Sequence, residues 1–399
     1  MKSRKFYKFS GPKKSKRFLR IAHINMFFFP TIGGVEQVIY ELAKRQVREG
    51  HEVHVFCCDS DKKRKIKVKE ETLEGIHVHR FPYWFRLSFN TFIWPSLLWR
   101  FKGDFDIIHT HVSGHAYILF AGILSKLKEI KHIHTTHCPW TDSLFRPVIL
   151  RPFLFFNDLF FNYISYKMID KIIAITPWEL DIIEKYTEKQ KIKVIPNGTD
   201  NIFFKQIKNN DFKRKYKIKE KNLVLFFGRL NATKGPEKLA LVARKISTKR
   251  KDIAFVWVGP DEGKASEVKK LIKSYKNMKY LGPICDKLEV AKMYQAADVY
   301  VLPSYREGLP LTLFEAMASG LPIVASPVNG IPFEMEEGKN GFFSNYGDFK
   351  SLEKNILKLI ENPAISRKIS LANTKKAQNY RWDNIYTQYM KEYKLLLKN

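Results

Sequence analysis

Short apolar runs separated by helix-length stretches set the rhythm of this chain. Phe18 to Phe29 reads as a buried strand, Pro30-Thr31-Ile32-Gly33-Gly34 as a turn, Val35 to Glu49 as a helix and Glu52 to Cys58 as a second strand. Strand, glycine turn, helix and strand in that order open a parallel α/β sheet. The alternation continues with strands at Ile76 to Phe81, Asp106 to His109, Lys131 to Thr135, Lys171 to Ile175 and Lys191 to Ile195, and a helix around His115 to Lys126. A turn-rich boundary, Pro196-Asn197-Gly198-Thr199-Asp200, interrupts it, and past Asn222 the pattern restarts. Strands are predicted at Leu223 to Phe227, Ile253 to Gly259, Lys279 to Leu281, Val299 to Leu302 and Ile323 to Ala325, with a helix from Pro236 to Lys249. Two α/β domains follow, bounded at 17–196 and 197–380, after a basic leader at 1–16. In 381–399, Trp382, Ile385, Tyr386, Tyr389, Tyr393 and Leu396 recur at helical spacing, so this helix needs a surface to cover.

Composition narrows the class. A chain of 399 residues with 45% hydrophobic content supports two cores and is too mixed to be disordered. The first twenty residues carry Lys2, Arg4, Lys5, Lys8, Lys13, Lys14, Lys16, Arg17 and Arg20 and lack the apolar centre of a secretory signal. No uncharged apolar run reaches membrane-spanning length. Cys57, Cys58, Cys138 and Cys285 have no metal-like spacing and read as reduced thiols of a cytoplasmic protein. A net charge of +30 favours polyanions, whether nucleic acid, anionic lipid or phosphorylated substrate. No nucleic-acid-binding module accompanies it, so specific nucleic-acid recognition is not expected.

The chemistry lies at strand ends, where parallel α/β sheets gather their ligands. After the strand ending at Leu302 comes Ser304-Tyr-Arg-Glu307-Gly308-Leu309-Pro310, then Leu311, Phe314 and Ala318 at helical spacing, closed by Gly320 and Pro322. A helix start of this kind turns free N–H groups and a positive dipole end toward an anion such as phosphate. Glu307 and Glu315 beside it fit a ligand whose phosphates carry sugar or ribose hydroxyls; alternatively, Glu307 caps the helix and Glu315 faces solvent. Gly228-Arg229 and Lys234-Gly235 place two cations after another strand of the same sheet, arginine offering a planar fork and lysine a point charge to a diphosphate.

These residues resemble the retaining glycosyltransferases of family 4. Glu307 and Glu315 match the E-x7-E signature, Gly228-Arg229 to Lys234-Gly235 the diphosphate loop, Gly33-Gly34-Val35-Glu36 the first glycine turn, and Ile195-Pro196-Asn197-Gly198 the interdomain segment. The agreement runs from about Arg17 to Tyr393. It implies a GT-B fold: two Rossmann-like domains facing a cleft, the acceptor on the first, the nucleotide sugar on the second, and the C-terminal helix crossing back to the first. By position it implies that Arg229 and Lys234 hold the donor diphosphate, that Glu315 binds the ribose, and that Glu307 lies near the sugar with Gly308 and Leu309. Gly33 and Gly34 would allow close backbone approach, and Ile284, in the loop Gly282 to Asp286, would help recognise the donor. A histidine near the sugar is implied too: His134 is favoured, with His137 as the alternative, and His109 and His111 are candidates for the same cleft. The donor would be UDP- or GDP-linked, with no cofactor and no metal, since no carboxylate partners these histidines at ligand spacing. Two departures stand out. Gly308-Leu309-Pro310 replaces the usual Gly-Phe-Gly, and Asn329-Gly330-Ile331-Pro332-Phe333 puts an aromatic where Gly-Gly-x-Pro-Glu has its glutamate.

Two segments mix aromatic with basic residues, Pro82 to Arg100 and Leu144 to Lys167. They read either as core of the first domain or as an interfacial surface on an anionic membrane, suited to a lipid-linked or cell-envelope glycan acceptor. Other readings of the whole chain are a sugar phosphorylase or synthase on the same scaffold and a non-catalytic polyanion binder.

Overall fold

A computed structural model describes residues 18–31, 33–61, 64–88, 91–138, 162–208 and 210–398. Ten strands precede residue 195: β1 (Arg20–Ile24), β2 (Glu52–Cys58), β3 (Glu70–Leu73), β4 (Ile76–Phe81), β5 (Phe85–Ser88), β6 (Thr91–Ile93), β7 (Ile107–His111), β8 (Lys131–Thr135), β9 (Lys171–Ala174) and β10 (Ile192–Val194). Eight of them form a sheet ordered β10-β9-β8-β7-β1-β2-β4-β3, parallel except for the edge strand β3. β5 and β6 form a separate antiparallel hairpin. The second sheet, also parallel, is ordered β13-β12-β11-β14-β15-β16 from β11 (Asn222–Phe227), β12 (Ile253–Val258), β13 (Met278–Tyr280), β14 (Val299–Leu302), β15 (Ile323–Ala325) and β16 (Gly341–Phe343).

The apolar runs became strands because both faces of each parallel sheet are covered. One departure is at the start. The expected strand Phe18 to Phe29 ends at Ile24, where the Asn25 side chain donates to Phe27 O at 2.8 Å and turns the chain out of the sheet. Phe18, outside the strand, is 65% exposed. β3, the β5–β6 hairpin and β16 carry no apolar run long enough to announce them.

Alternation along the first sheet sorts its residues. Ala22, Ile24, Ile108, Ile172 and Ala174 face a core with Tyr117, Tyr166 and Trp94. Ile21, Ile107, Ile133 and Ile173 face the other way, onto the helix Trp382–Leu396. That helix lays Trp382, Ile385, Tyr386, Tyr389 and Tyr393 against the first sheet, so the end of the chain completes the first domain. Gly198 makes the return possible, since a Cβ there would lie 2.4 Å from the Trp382 ring. Thr199 N donates to Tyr380 O at 2.7 Å, and Trp382 N to Thr199 O at 3.2 Å, which pins the two crossings of the chain side by side. Arg45 Nε reaches Asp383 at 2.9 Å from the first-domain helix Gly34–Arg48.

Ile385 is fully buried in that interface. Replacing it with alanine should cost about 2–5 kcal/mol, the range for emptying a packed aliphatic site. Urea unfolding followed by tryptophan fluorescence checks this, and a cost below about 1 kcal/mol would mean that the helix is not part of the cooperative first-domain core.

Candidate active site

The second-domain rim is built by close backbone contacts. Gly228 N donates to Val258 O at 3.0 Å, and a Cβ on Gly259 would fall 1.9 Å from Gly228 O, so β11 and β12 leave the sheet pressed together. Arg229, half exposed, holds Glu262 at 3.3 Å, and Asn231 Nδ2 donates to the same carboxylate at 2.9 Å. Gly235 is left-handed at φ +62°, and a Cβ on it would meet Pro303 O at 2.4 Å. The loop before the helix Pro236–Lys249 therefore lies directly on the end of β14, where Tyr305 N donates to Thr233 O at 2.8 Å. This contact carries Lys234 to Glu307, whose carboxylate accepts from the ammonium; Ser304 Oγ donates to its other oxygen at 2.6 Å. The diphosphate-type loop and the first glutamate thus form one paired unit.

Glu307 is 5% exposed, and the helix Leu311–Ala318 starts at an extended Pro310 with no side-chain cap. The capping alternative does not hold: Glu307 spends its oxygens on Lys234 and Ser304. Glu315 does not simply face solvent either. It is half-buried and accepts from the Tyr294 hydroxyl at 3.0 Å, and burial pushes its pKa up to about 7. Nearby Lys287 reaches both Asp200 at 3.0 Å and Glu41 at 2.9 Å, joining the two domains. Ile284 is half-buried and packs against the second-domain core.

Across the cleft, Gly33 is the extended N-cap of the helix Gly34–Arg48, which has no side-chain cap. A Cβ on Gly34 would have Leu311 Cδ1 as its nearest neighbour at 4.0 Å, so the glycine turn stands opposite the start of the helix Leu311–Ala318. Gly308 marks the tightest approach: a Cβ there would lie 2.7 Å from Cys138 Cβ and 3.6 Å from His137 O. Asn197 Nδ2 donates to Leu309 O at 2.8 Å, tying the interdomain segment to the same junction.

The histidines require correction. His134 does not reach the cleft; its ring is fully buried on the Tyr166 side of the sheet, with Nδ1 on Thr110 Oγ1 and Nε2 on Ser113 Oγ, both at 2.8 Å. His109 and His111 are also fully buried, because β7 turns them toward the C-terminal helix; Tyr393 Oη lies 2.6 Å from His109 Nδ1. Of these histidines only His137, past the end of β8 and partly exposed, adjoins Gly308, and it does so through its backbone carbonyl, 3.6 Å from a Cβ built on that glycine. Its backbone is left-handed at φ +56°, which lifts it out of the strand alternation, and burial lowers its pKa to about 3. His23, paired with His109 in register between β1 and β7, joins the group that sequence patterning left out. His23, His109 and His111 bring one ring nitrogen each within 4.8 Å of one another, a cluster able to hold a metal ion, though every one of those rings is hydrogen-bonded within the protein.

Tyr294, Lys287 and Glu262 were missed as well. No motif marks them: Lys287 and Glu41 are 246 residues apart in sequence, and only the fold brings them together.

Two mixed α/β domains with glycine-lined strand ends facing each other define a GT-B architecture. The first half of the chain, residues 32–201, matches the model of Glycosyltransferase Family 4, and residues 208–377 match Glycosyl transferases group 1. The chain belongs to this group 1, family 4 glycosyltransferase family. A glycosyltransferase of Methanocaldococcus jannaschii is 28% identical over 389 residues, covering 93% of this chain and 97% of that protein. The Escherichia coli UDP-Gal:alpha-D-GlcNAc-diphosphoundecaprenol alpha-1,3-galactosyltransferase is 25% identical over 367 residues, covering 89% and 91%. Among solved structures, Anabaena HepE in complex with UDP-glucose superposes with a TM-score of 0.74 at 19% identity, covering 94% of this chain and 99% of that one.

The raised pKa of Glu315 gives a signed expectation. Below about 4.5 the carboxyl is protonated in both folded and unfolded chains; between there and about 7 only the folded chain keeps the proton. Its contribution to stability therefore falls as pH rises through that window and levels off above it. Glu315→Gln should flatten this decline, so that urea midpoints at pH 5 and pH 8 differ less than in the parent. An equal decline in both proteins would show that Glu315 is not held protonated.

Proposed function

We propose that the protein is a retaining, metal-independent glycosyltransferase that moves a sugar from a nucleoside-diphosphate donor, UDP- or GDP-linked, to an acceptor hydroxyl. The observation that carries this reading is the Lys234–Glu307 pair, which joins a cation for phosphate and a carboxylate for hydroxyls at one strand-end junction. Arg229, half exposed, supplies the second cation for the departing diphosphate. Glu315 takes the ribose. In the proposed step the bond between the anomeric carbon and the diphosphate oxygen breaks, and the acceptor oxygen bonds to that carbon on the same face. A departing phosphate oxygen takes the acceptor proton, so no further base is required. Burial of the Glu307 carboxylate raises the cost of leaving it without Lys234, which keeps the unit ordered until a donor enters. HepE, a protein of the same fold, binds UDP-glucose, which agrees with a nucleotide-sugar donor.

Arg229→Ala and Glu307→Ala should each lower turnover by about 10²–10³, the loss seen on removing a group that stabilises transition-state charge. A screen of UDP, GDP, ADP and their sugar conjugates by thermal shift identifies the donor, since a ligand of the folded state raises Tm. Turnover should persist in excess EDTA. Near-normal rates in well-folded Arg229→Ala, or loss of activity in EDTA that Mg²⁺ or Mn²⁺ restores, would reject the corresponding part of the mechanism.

For the acceptor we propose a lipid-linked or cell-envelope glycan, met at the cytoplasmic face of an anionic membrane. Among the described residues no helix is long and apolar enough to cross a bilayer. Of the first aromatic segment, Phe92, Trp94 and Leu97 are core, whereas Trp84, Phe85 and Trp99 are exposed, with the Trp84 and Trp99 rings 6.0 Å apart. Exposed Arg86, Arg100 and Lys102 lie in the same stretch. Aromatic rings with basic neighbours suit the headgroup region. Of the second segment, residues 144–161 lie outside the described residues. The E. coli relative is named for a diphosphoundecaprenol acceptor, which agrees with this reading. The chain should co-sediment with phosphatidylglycerol vesicles at low salt and do so less when Trp84 and Trp99 are replaced by alanine; absence of sedimentation at low salt overturns the membrane reading.

A further inference from the structure

Behind the cleft, four side chains form a continuous hydrogen-bonded line. Gln46 Oε1 lies 2.8 Å from His23 Nε2, His23 Nδ1 lies 3.1 Å from His111 Nε2, and His111 Nδ1 lies 3.1 Å from His137 Nε2. Gln46, His23 and His111 are fully buried, and only His137 at the far end is partly exposed. Among the described residues the hydrogen-bond partners of these rings are an amide and one another, with no carboxylate to hold an imidazolium, and burial disfavours the charged form, so each ring is neutral and carries one ring proton. A nitrogen-to-nitrogen hydrogen bond needs one proton between its partners. Three rings therefore bring three protons to three bonds, and the acceptor-only amide oxygen at the inner end fixes their direction. His23 donates from Nε2 to Gln46, His111 from Nε2 to His23, and His137 from Nε2 to His111.

The amide of Gln46 is thus the element that polarises the line. Turning it over would present its NH₂ to His23 and reverse every proton. Its orientation is held on the other side, where Gln46 Nε2 donates to Tyr393 Oη at 3.5 Å; that hydroxyl in turn lies 2.6 Å from His109 Nδ1. With the Tyr393 hydroxyl donating to His109 Nδ1, His109 carries its own proton on Nε2 and donates it to Thr135 Oγ1 at 2.8 Å. The two branches agree with a single proton ordering.

We propose that Gln46, His23 and His111 are positioning residues that hold His137 in its Nε2–H tautomer, leaving Nδ1, on the partly exposed side of the ring, as a neutral hydrogen-bond acceptor for a substrate hydroxyl. Among the described residues Nδ1 has no hydrogen-bond partner. A neutral acceptor at this place orients a hydroxyl without adding charge next to the paired Glu307. The hydroxyl part of the proposal rests on the glycosyl-transfer reading, whereas the tautomer does not.

The test uses the full chain with ¹⁵N-labelled histidine, whose two-bond ¹⁵N–¹H couplings report which ring nitrogen bears the proton. Wild-type His137 should show the Nε2–H form. Gln46→Met, which removes the acceptor, and Tyr393→Phe, which keeps the ring but frees the amide to turn, should both populate the Nδ1–H form. In an assay with the donor found by thermal shift, both variants should lose roughly tenfold in kcat, about the worth of one hydrogen bond to a reacting substrate. An Nδ1–H form in wild type, or a tautomer unmoved in both variants, overturns the relay. So does stoichiometric Zn²⁺ binding that displaces protons from His23, His109 and His111. A tautomer that follows Gln46 with kcat unchanged overturns the acceptor role alone. If the wild type transfers no sugar, the coupling measurement still decides the relay, and the failure belongs to the functional reading.

Discussion

An eight-stranded, largely parallel sheet has two apolar faces, and both must be kept from water. In this protein the second face of the first sheet is covered partly by the helix Gly34–Arg48 and partly by the last helix of the chain, so the first domain is incomplete without residues that follow the second. Much else depends on that arrangement. The chain must cross between domains twice, side by side, which sets Thr199 against Tyr380 and Trp382 and leaves no room for a side chain at Gly198. The two crossings bring Asn197 to Leu309, and with it the glutamate junction to the loop after β8. The helix also supplies the hydroxyls of Tyr389 and Tyr393 to its interface with the first sheet, where they meet Thr135 and His109. Packing and site geometry are therefore one problem in this fold.

The site itself is organised by opposed charges that neutralise one another. Lys234 is paired with Glu307, Arg229 with Glu262, and Lys287 with Glu41 and Asp200. In a chain of net charge +30, these carboxylates are the local counterweight to cations gathered for an anion. Exposed pairs such as Arg229–Glu262 contribute little to stability and exchange partners readily. The buried Lys234–Glu307 pair is different, since separating it leaves a carboxylate with only Ser304 for company.

Periodicity made the two sheets legible, and glycine turns at strand ends made the rim of the second domain legible. Those signals are local: a strand needs only its own apolar run, and Gly235 needs only its left-handed turn. The aromatic stripe after Trp382 was also readable as a helix in need of a surface, because its spacing is internal to one element. What the sequence did not carry was the direction of each histidine. His134 and His109 both sit on strands of the same sheet, yet their side chains leave by opposite faces, and which face meets the cleft depends on the register with β1 and on where the strand ends. His137 escapes alternation because its backbone is left-handed, a conformation that a histidine does not announce. Tyr294 and Lys287 were silent for a related reason: their partners come from other elements.

The dependence of the first domain on the final helix also constrains how the protein is made. A ribosome releases residues 20–194 long before Trp382 emerges, so the nascent first sheet waits with part of the face that carries Ile21, Ile107, Ile133 and Ile173 lacking its final helix while the whole second domain is synthesised. The second domain, whose sheet lies entirely within residues 222–343, has its strands in hand earlier than the first has its cover. Birth order and completion order are thus reversed, and in the interval between them apolar surface of the first sheet stays open to water.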